Sequence, residues 1–292
     1  MFESSPRWEQ INKSAYTWEQ DGLRGLLADP DGRHQLADVV FWGEWEAPSL
    51  IERRWPADGG LPRALHRPYW FRPGPGTPRQ NTDPWVFGTC MRYSNCRQLT
   101  SPARTPSSMQ SLRPGSVICF GSTVDYEFRL DTVLVVGSAE PWTPAEAAAL
   151  DVDDAFQVCT AESIVASRRD ARADLTLYRG ATLDNPVHGM YSFVPALAVT
   201  GDDPPQFARP VIRLDGLINP ACRQSTWGSL RPMSTAAVRD AWDAVRDQVL
   251  AAGLMLAVRI DTPPEQRGQA IPCASDVLCH SGARRHDSKP AC

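Results

Sequence analysis

The chain has 292 residues, 42% hydrophobic and 22% charged, which is enough apolar material for a sizeable core in one large domain or two small ones and excludes global disorder. A net charge of −4 excludes a protein that coats nucleic acid by bulk electrostatics, although it leaves room for a local basic groove. No apolar run approaches the length of a membrane span, and the start, Met1 to Arg7, carries no apolar signal core, so a soluble, cytoplasmic protein without a membrane partner is expected.

In chain order, residues 15–28 read as a short helix, with Trp18 and the Leu23, Leu26, Leu27 group on one face. Asp29-Pro30-Asp31-Gly32 is a turn, and Ala37 to Trp42 reads as a strand. Residues 56–84 are rich in proline and glycine and form a long irregular excursion, the kind of segment that carries function in compact domains. Residues 100–108 form a second polar loop. Ser116 to Phe120 and Asp125 to Val136 carry the clearest strand pattern, with Gly121-Ser122-Thr123 as the hairpin link. The unbroken run Thr132 to Val136 predicts a strand buried on both faces. Thr143-Pro144-Ala145-Glu146 is a helix entry, with a further helix over 161–169. Strands follow at Leu175 to Tyr178, at Met190 to Val199 and at Phe207 to Leu214. Pro195 marks the second as an edge or interrupted strand, and the third holds Pro210. The best helix is Thr235 to Ala252, where Val238, Trp242, Val245, Val249 and Ala252 share one face. Ser234 or Thr235 caps it, Gly253 ends it, and Leu254 to Ile260 returns as a strand. The pattern predicts an α+β fold, a β-rich mixed sheet with a few packed helices, including a long one at about 235–252. Residues 1–262 are expected to form one domain and 263–292 an irregular, flexible C-terminal tail.

Residues 41–98 hold five of the ten tryptophans among carboxylate, imidazole, guanidinium and amide groups, the mixture a binding pocket needs. On a strand, Trp42, Glu44 and Glu46 share one face, so the two carboxylates suit acid–base work; the competing reading leaves them in solvent while Trp42 and Trp45 pack. Loop residue His66 is a candidate general base, and Arg67 and Arg97 candidate phosphate ligands. Asn81, Asp83, Asn95 and Gln98 can read the edge of a base, or build turns, with Trp85 as a further stacking ring. Cys96, beside the Arg97 cation, is the best nucleophile among eight scattered cysteines and pairs with His66 in a thiol-enzyme reading. Cys119 and Cys159 look like small core residues. Of 30 basic residues all but Lys13 and Lys289 are arginine, a bias that suits bidentate phosphate recognition but also fits a GC-rich coding sequence. Cysteine spacings do not match zinc sites, so no metal is expected. No glycine-rich strand-to-helix turn marks a dinucleotide or phosphate-loop site, and no cofactor or oligomeric state is identified.

Two resemblances bear on function. Leu177-Tyr178-Arg179-Gly180 resembles the strand-borne arginine motif of mono-ADP-ribosyltransferases, which would make Arg179 a ligand-binding residue. Ser225-Thr226-Trp227 departs from that family's Ser-Thr-Ser strand, and Glu265-Gln266-Arg267 lacks the second acid of its Glu-x-Glu turn. More broadly, Phe41 to Glu46, Asn81 to Pro84 and Ser94 to Gln98 look like an uncharacterised bacterial family loosely associated with nucleotide-modification-associated domains. That likeness implies a nucleotide or nucleic-acid base as ligand and leaves the reaction open. The leading expectation is therefore a nucleotide- or modified-base-binding protein that acts in nucleic-acid modification. The alternatives are a structural or protein-interaction module with a tryptophan-rich core, and the Cys96–His66 thiol enzyme.

Overall fold

The architecture, taken from a computed structural model, is described for residues 7–12, 17–44, 49–54, 64–74, 82–99, 105–167, 174–199, 207–218 and 231–266. It is a mixed α+β fold built on two sheets. The first runs, in spatial order, β11 (Arg231–Pro232), β1 (Arg7–Asn12), β7 (Val117–Val124), β8 (Glu127–Trp142), β9 (Leu175–Gly180) and β6 (Arg92–Tyr93). Only β1 and β7 pair in parallel. The second runs β12 (Met255–Ile260), β10 (Val194–Ala198), β3 (His34–Glu44), β2 (Thr17–Ala28), β5 (Ala64–Pro68) and β4 (Ser49–Arg54). Because β12 also pairs with β2, the strands β2, β3, β10 and β12 close into a four-stranded barrel. No helix among the described residues is long and apolar enough to cross a membrane.

The expected strands at β3, β7, β8, β9, β10 and β12 are present, and so is the helix α3 (Thr235–Ala251), whose Ser234 hydroxyl accepts the Ala237 N–H at 3.2 Å. The expected helix over 15–28 is a strand, β2. A bulge between Gln20 and Leu23 breaks its two-residue alternation, so the leucines that follow mimic a helical stripe. The hairpin between β7 and β8 turns at Asp125-Tyr126, not at Gly121 to Thr123, which belong to β7. Pro195 does not confine β10 to an edge. The ladder to β12 covers Val194–Ala196 and that to β3 starts at Ala196, so the missing N–H falls before the second ladder begins. Phe207 to Leu214 is no regular strand; it touches β8 through one isolated bridge, Arg129 to Val211. Thr143 to Glu146 opens a 3-10 turn, Pro144–Ala149, rather than an α-helix. The helix expected at 161–169 starts earlier, as α1 (Asp154–Phe156), and passes through a π turn (Gln157–Ala161) into α2 (Glu162–Ser167). Of the expected C-terminal tail, residues 263–266 run beside Trp70, whose N–H donates to Pro264 and whose carbonyl accepts from Gln266. The remainder lies outside the described residues.

Strand β8 is buried on both faces along Leu130–Val136. Leu134 and Val136 join one apolar cluster with Ile118, Phe120, Tyr93, Tyr178, Trp85 and Phe156. Val133 and Val135 join another with Phe193 and the α3 residues Val238, Trp242, Val245 and Val249. Beside Gly121 the ladder shifts register, and Asp131 is the extra residue on β8. A β-carbon at Gly121 would press on the carbonyl of Arg129 and lie 2.7 Å from the Phe128 ring. Gly121→Ala is therefore expected to destabilise the protein by about 3 kcal/mol, read as a lowered urea midpoint, whereas a midpoint unchanged from the parent would mean that the bulge relaxes freely.

Candidate functional site

The sequence-predicted site residues converge best in the segment 82–99. The π turn moves the helical ladder out of its four-residue step, and the Cys159 carbonyl accepts the Thr82 N–H at 3.2 Å, while the Thr160 hydroxyl donates to the Thr82 carbonyl at 2.8 Å. That docking fixes the buried Asp83, which precedes a cis proline. One carboxylate oxygen of Asp83 accepts from Ser94 N at 2.9 Å, and the other from Asn95 N at 3.0 Å and Cys96 N at 2.7 Å. The Tyr93 hydroxyl donates to the Cys96 carbonyl, and the Ser107 hydroxyl donates to the Arg97 carbonyl at 2.5 Å. Gln98 is held through its carboxamide, which donates to Thr176 O at 2.6 Å and accepts from Thr176 N at 2.7 Å, standing in for a neighbouring strand. Between these anchors Arg97 adopts a left-handed φ of 66°. Such a conformation in a long side-chain residue persists only where the surroundings over-determine it. Arg97 is exposed and makes no ion pair among the described residues; Asn95 and Cys96 beside it are half-buried. The Cys96 thiol lies 3.9 Å from the Asp83 carbonyl.

The other predicted residues separate. Phe41 and Trp42 are neighbours on β3 and point to opposite sides. Phe41 meets Phe87 edge-on at 6.2 Å, and Phe87 meets Trp85 at 5.1 Å. Trp85 is 0% exposed and offers no face for a base. Trp42 packs against the other cluster, half-buried, with the Arg209 guanidinium 4.8 Å from its ring centroid. Arg67 is half-buried on β5, opposite Leu50, and His66 pairs through its backbone with Gln20 and Ile51. Glu44 is at the end of β3, opposite Thr17. The side chains of Glu44 and His66, and all of Trp45, Glu46 and Asn81, lie outside the described residues. Arg179 is on β9, where it donates to Glu140 and to the Asp151 carbonyl, each at 2.9 Å.

One polar cluster escaped sequence reasoning. Asp131, 3% exposed, accepts from Arg209 at 3.1 Å, and Arg209 also donates to the Ser122 hydroxyl at 2.6 Å. The only sequence signal is a lone acid inside an apolar strand; the partner lies 78 residues away. Among the described residues no grouping of histidine, cysteine, aspartate or glutamate could hold a metal ion. Two thiols are core groups. Burial pushes Cys159 up to about 12, with Asp153 and Glu162 adding to it, and burial raises Cys119 further still. Neither thiol is a nucleophile near neutral pH.

Fold and geometry thus define an α+β protein with a rigidly anchored polar loop beside β6. Comparison of the chain with models of known families, with curated proteins and with solved structures yields no match.

Replacing Asp83 with alanine leaves three backbone N–H groups without their acceptor, so Asp83→Ala is expected to cost roughly 3–5 kcal/mol in a denaturant melt. A loss under 1 kcal/mol would show that the loop is held without the carboxylate. Cys159 supplies a pH signature. Its thiol ionises near 9.0 when free but only at about 12 in the fold. Above pH 9 the unfolded chain therefore binds fewer protons than the native one, and stability falls as pH rises, by up to about 1.4 kcal/mol per unit for one such thiol. The stability advantage of the parent over Cys159→Ala should shrink between pH 8 and pH 10.5, as read from urea midpoints; a constant difference would contradict the assignment.

Proposed function

We propose that the protein binds a nucleotide or a modified base at the loop Ser94 to Gln98. The observation that carries this reading is Arg97, an exposed guanidinium held in a left-handed backbone by anchors from Asp83, Tyr93, Ser107 and Gln98. A loop fixed in advance loses little entropy when it meets a ligand. The Arg97 fork suits a phosphate group, and the Asn95 carboxamide beside it, with donor and acceptor together, suits the edge of a base. Trp85 takes no part in stacking, because it is enclosed in the core. The thiol-enzyme reading gains less. The three amides that would make an oxyanion hole beside Cys96 are already bound to Asp83.

The test is a thermal-shift screen with nucleotides and modified nucleosides, followed by titration of any hit against Arg97→Ala. Binding to the parent is expected to weaken as salt rises, and the variant should bind about tenfold more weakly, the loss of one charge-assisted contact. Its own melting temperature should stay near that of the parent, since the side chain makes no ion pair among the described residues. No shift by any nucleotide would remove the proposal.

A further inference from the structure

Arg92 on β6 and Arg179 on β9 lie directly opposite each other in the antiparallel ladder. Opposed residues share a face of the sheet, and like charges so placed repel. The next pair, Tyr93 and Tyr178, stacks at 5.9 Å in the core, so the arginines project to the other side. Each has a carboxylate, but the two carboxylates are not equivalent. Asp153 is committed twice: one oxygen caps α1 by accepting Phe156 N at 2.9 Å, and the other accepts from Arg92 at 2.9 Å. Glu140, 45% exposed, meets Arg179 at 2.9 Å in a half-exposed pair of the kind that contributes little. Arg179 stays oriented without it, through the Asp151 carbonyl.

The guanidinium of Arg92 carries the second observation. Its side chain is 6% exposed and lies 5.2 Å from the Phe156 ring centroid, and its Nε has no acceptor among the described residues. Buried donors of this kind are almost always satisfied in a working protein. Gly88, with φ of 84°, lies beside this pair, a β-carbon there falling 3.6 Å from an Asp153 oxygen and 3.9 Å from an Arg92 nitrogen, in ordinary contact.

We infer that Arg92 and Arg179 form a phosphate-binding site, independent of the 94–98 loop, in which the Glu140 carboxylate holds the ligand's place in the free protein. When Glu140 swings into solvent, two guanidinium groups face one fixed carboxylate, and the site carries a net positive charge. A tetrahedral phosphate presents acceptors in more than one plane and can bridge two forks arriving from adjacent strands, whereas a carboxylate fills only one.

The test uses the full chain in thermal melts titrated with inorganic phosphate or pyrophosphate, against chloride at matched ionic strength. Phosphate should raise the midpoint saturably. Glu140→Gln, which removes the competing charge, should tighten the apparent affinity up to about fivefold. In an Arg97→Ala background, which removes the loop's own phosphate ligand, phosphate should still raise the midpoint, and adding Arg179→Gln should abolish that rise. An equal rise in chloride, no rise in Arg97→Ala, a rise in Arg97→Ala that survives the added Arg179→Gln, or no rise in both the parent and Glu140→Gln would each overturn the site.

Discussion

The backbone of β8 is the interaction on which the rest of the structure depends. Along one edge it pairs with β7 from Glu127 to Val135. Along the other it meets three partners in turn: Pro210 and Ile212 bond to Leu130 and Phe128, Phe193 exchanges both bonds with Val133, and β9 takes Val136 to Trp142. Its side chains divide between the two apolar clusters, so barrel, α3 and the polar loop are all placed relative to one strand. A buried strand of this kind requires every N–H and C=O to find a partner, and the succession of short partners meets that requirement where no single long strand does.

Polar side chains extend the same logic beyond the sheet. Gln98 pairs with both backbone groups of Thr176, Tyr178 accepts from Leu112 N and donates to Met109 O, and the Ser192 hydroxyl accepts from Val135 N at 3.0 Å. Asp83 serves three amides at once. These residues act as substitute backbone, tying the connections, the polar loop among them, to the sheet by hydrogen bonds of the same kind that join the strands.

Much of the fold was legible because burial on both faces of β8 and the apolar stripe of α3 leave direct patterns in the chain. The bulge in β2 was not, since one inserted residue turns an alternating pattern into one that fits a helix equally well. Pro210 shows a related failure: its segment is apolar enough for a strand, yet Pro210 has no N–H and offers Leu130 only its carbonyl, and the segment meets β8 at a single bridge. For the candidate site, Asn95, Cys96, Arg97 and Gln98 could be picked out by type, and they do fall in one loop. The role of Asp83 was not readable, because its three amides lie 11 to 13 residues away and look like any other backbone. The Asp131–Arg209 pair was still less accessible, being defined by a contact and not by a motif.

The closed barrel has a consequence for how the chain is made. The strands β2 and β3 leave the ribosome before the two that complete the ring, β10 and β12, which follow more than 140 residues after the end of β3. Until Ile260 has emerged, β2 exposes the edge that β12 later covers. An uncovered edge is a template for pairing with other chains, so the nascent chain carries that edge unprotected while the residues between β3 and the end of β12 are made. The helix α3 ends at Ala251 and β12 begins at Met255, so the strand that closes the ring follows by a short turn from a helix packed in the same apolar cluster.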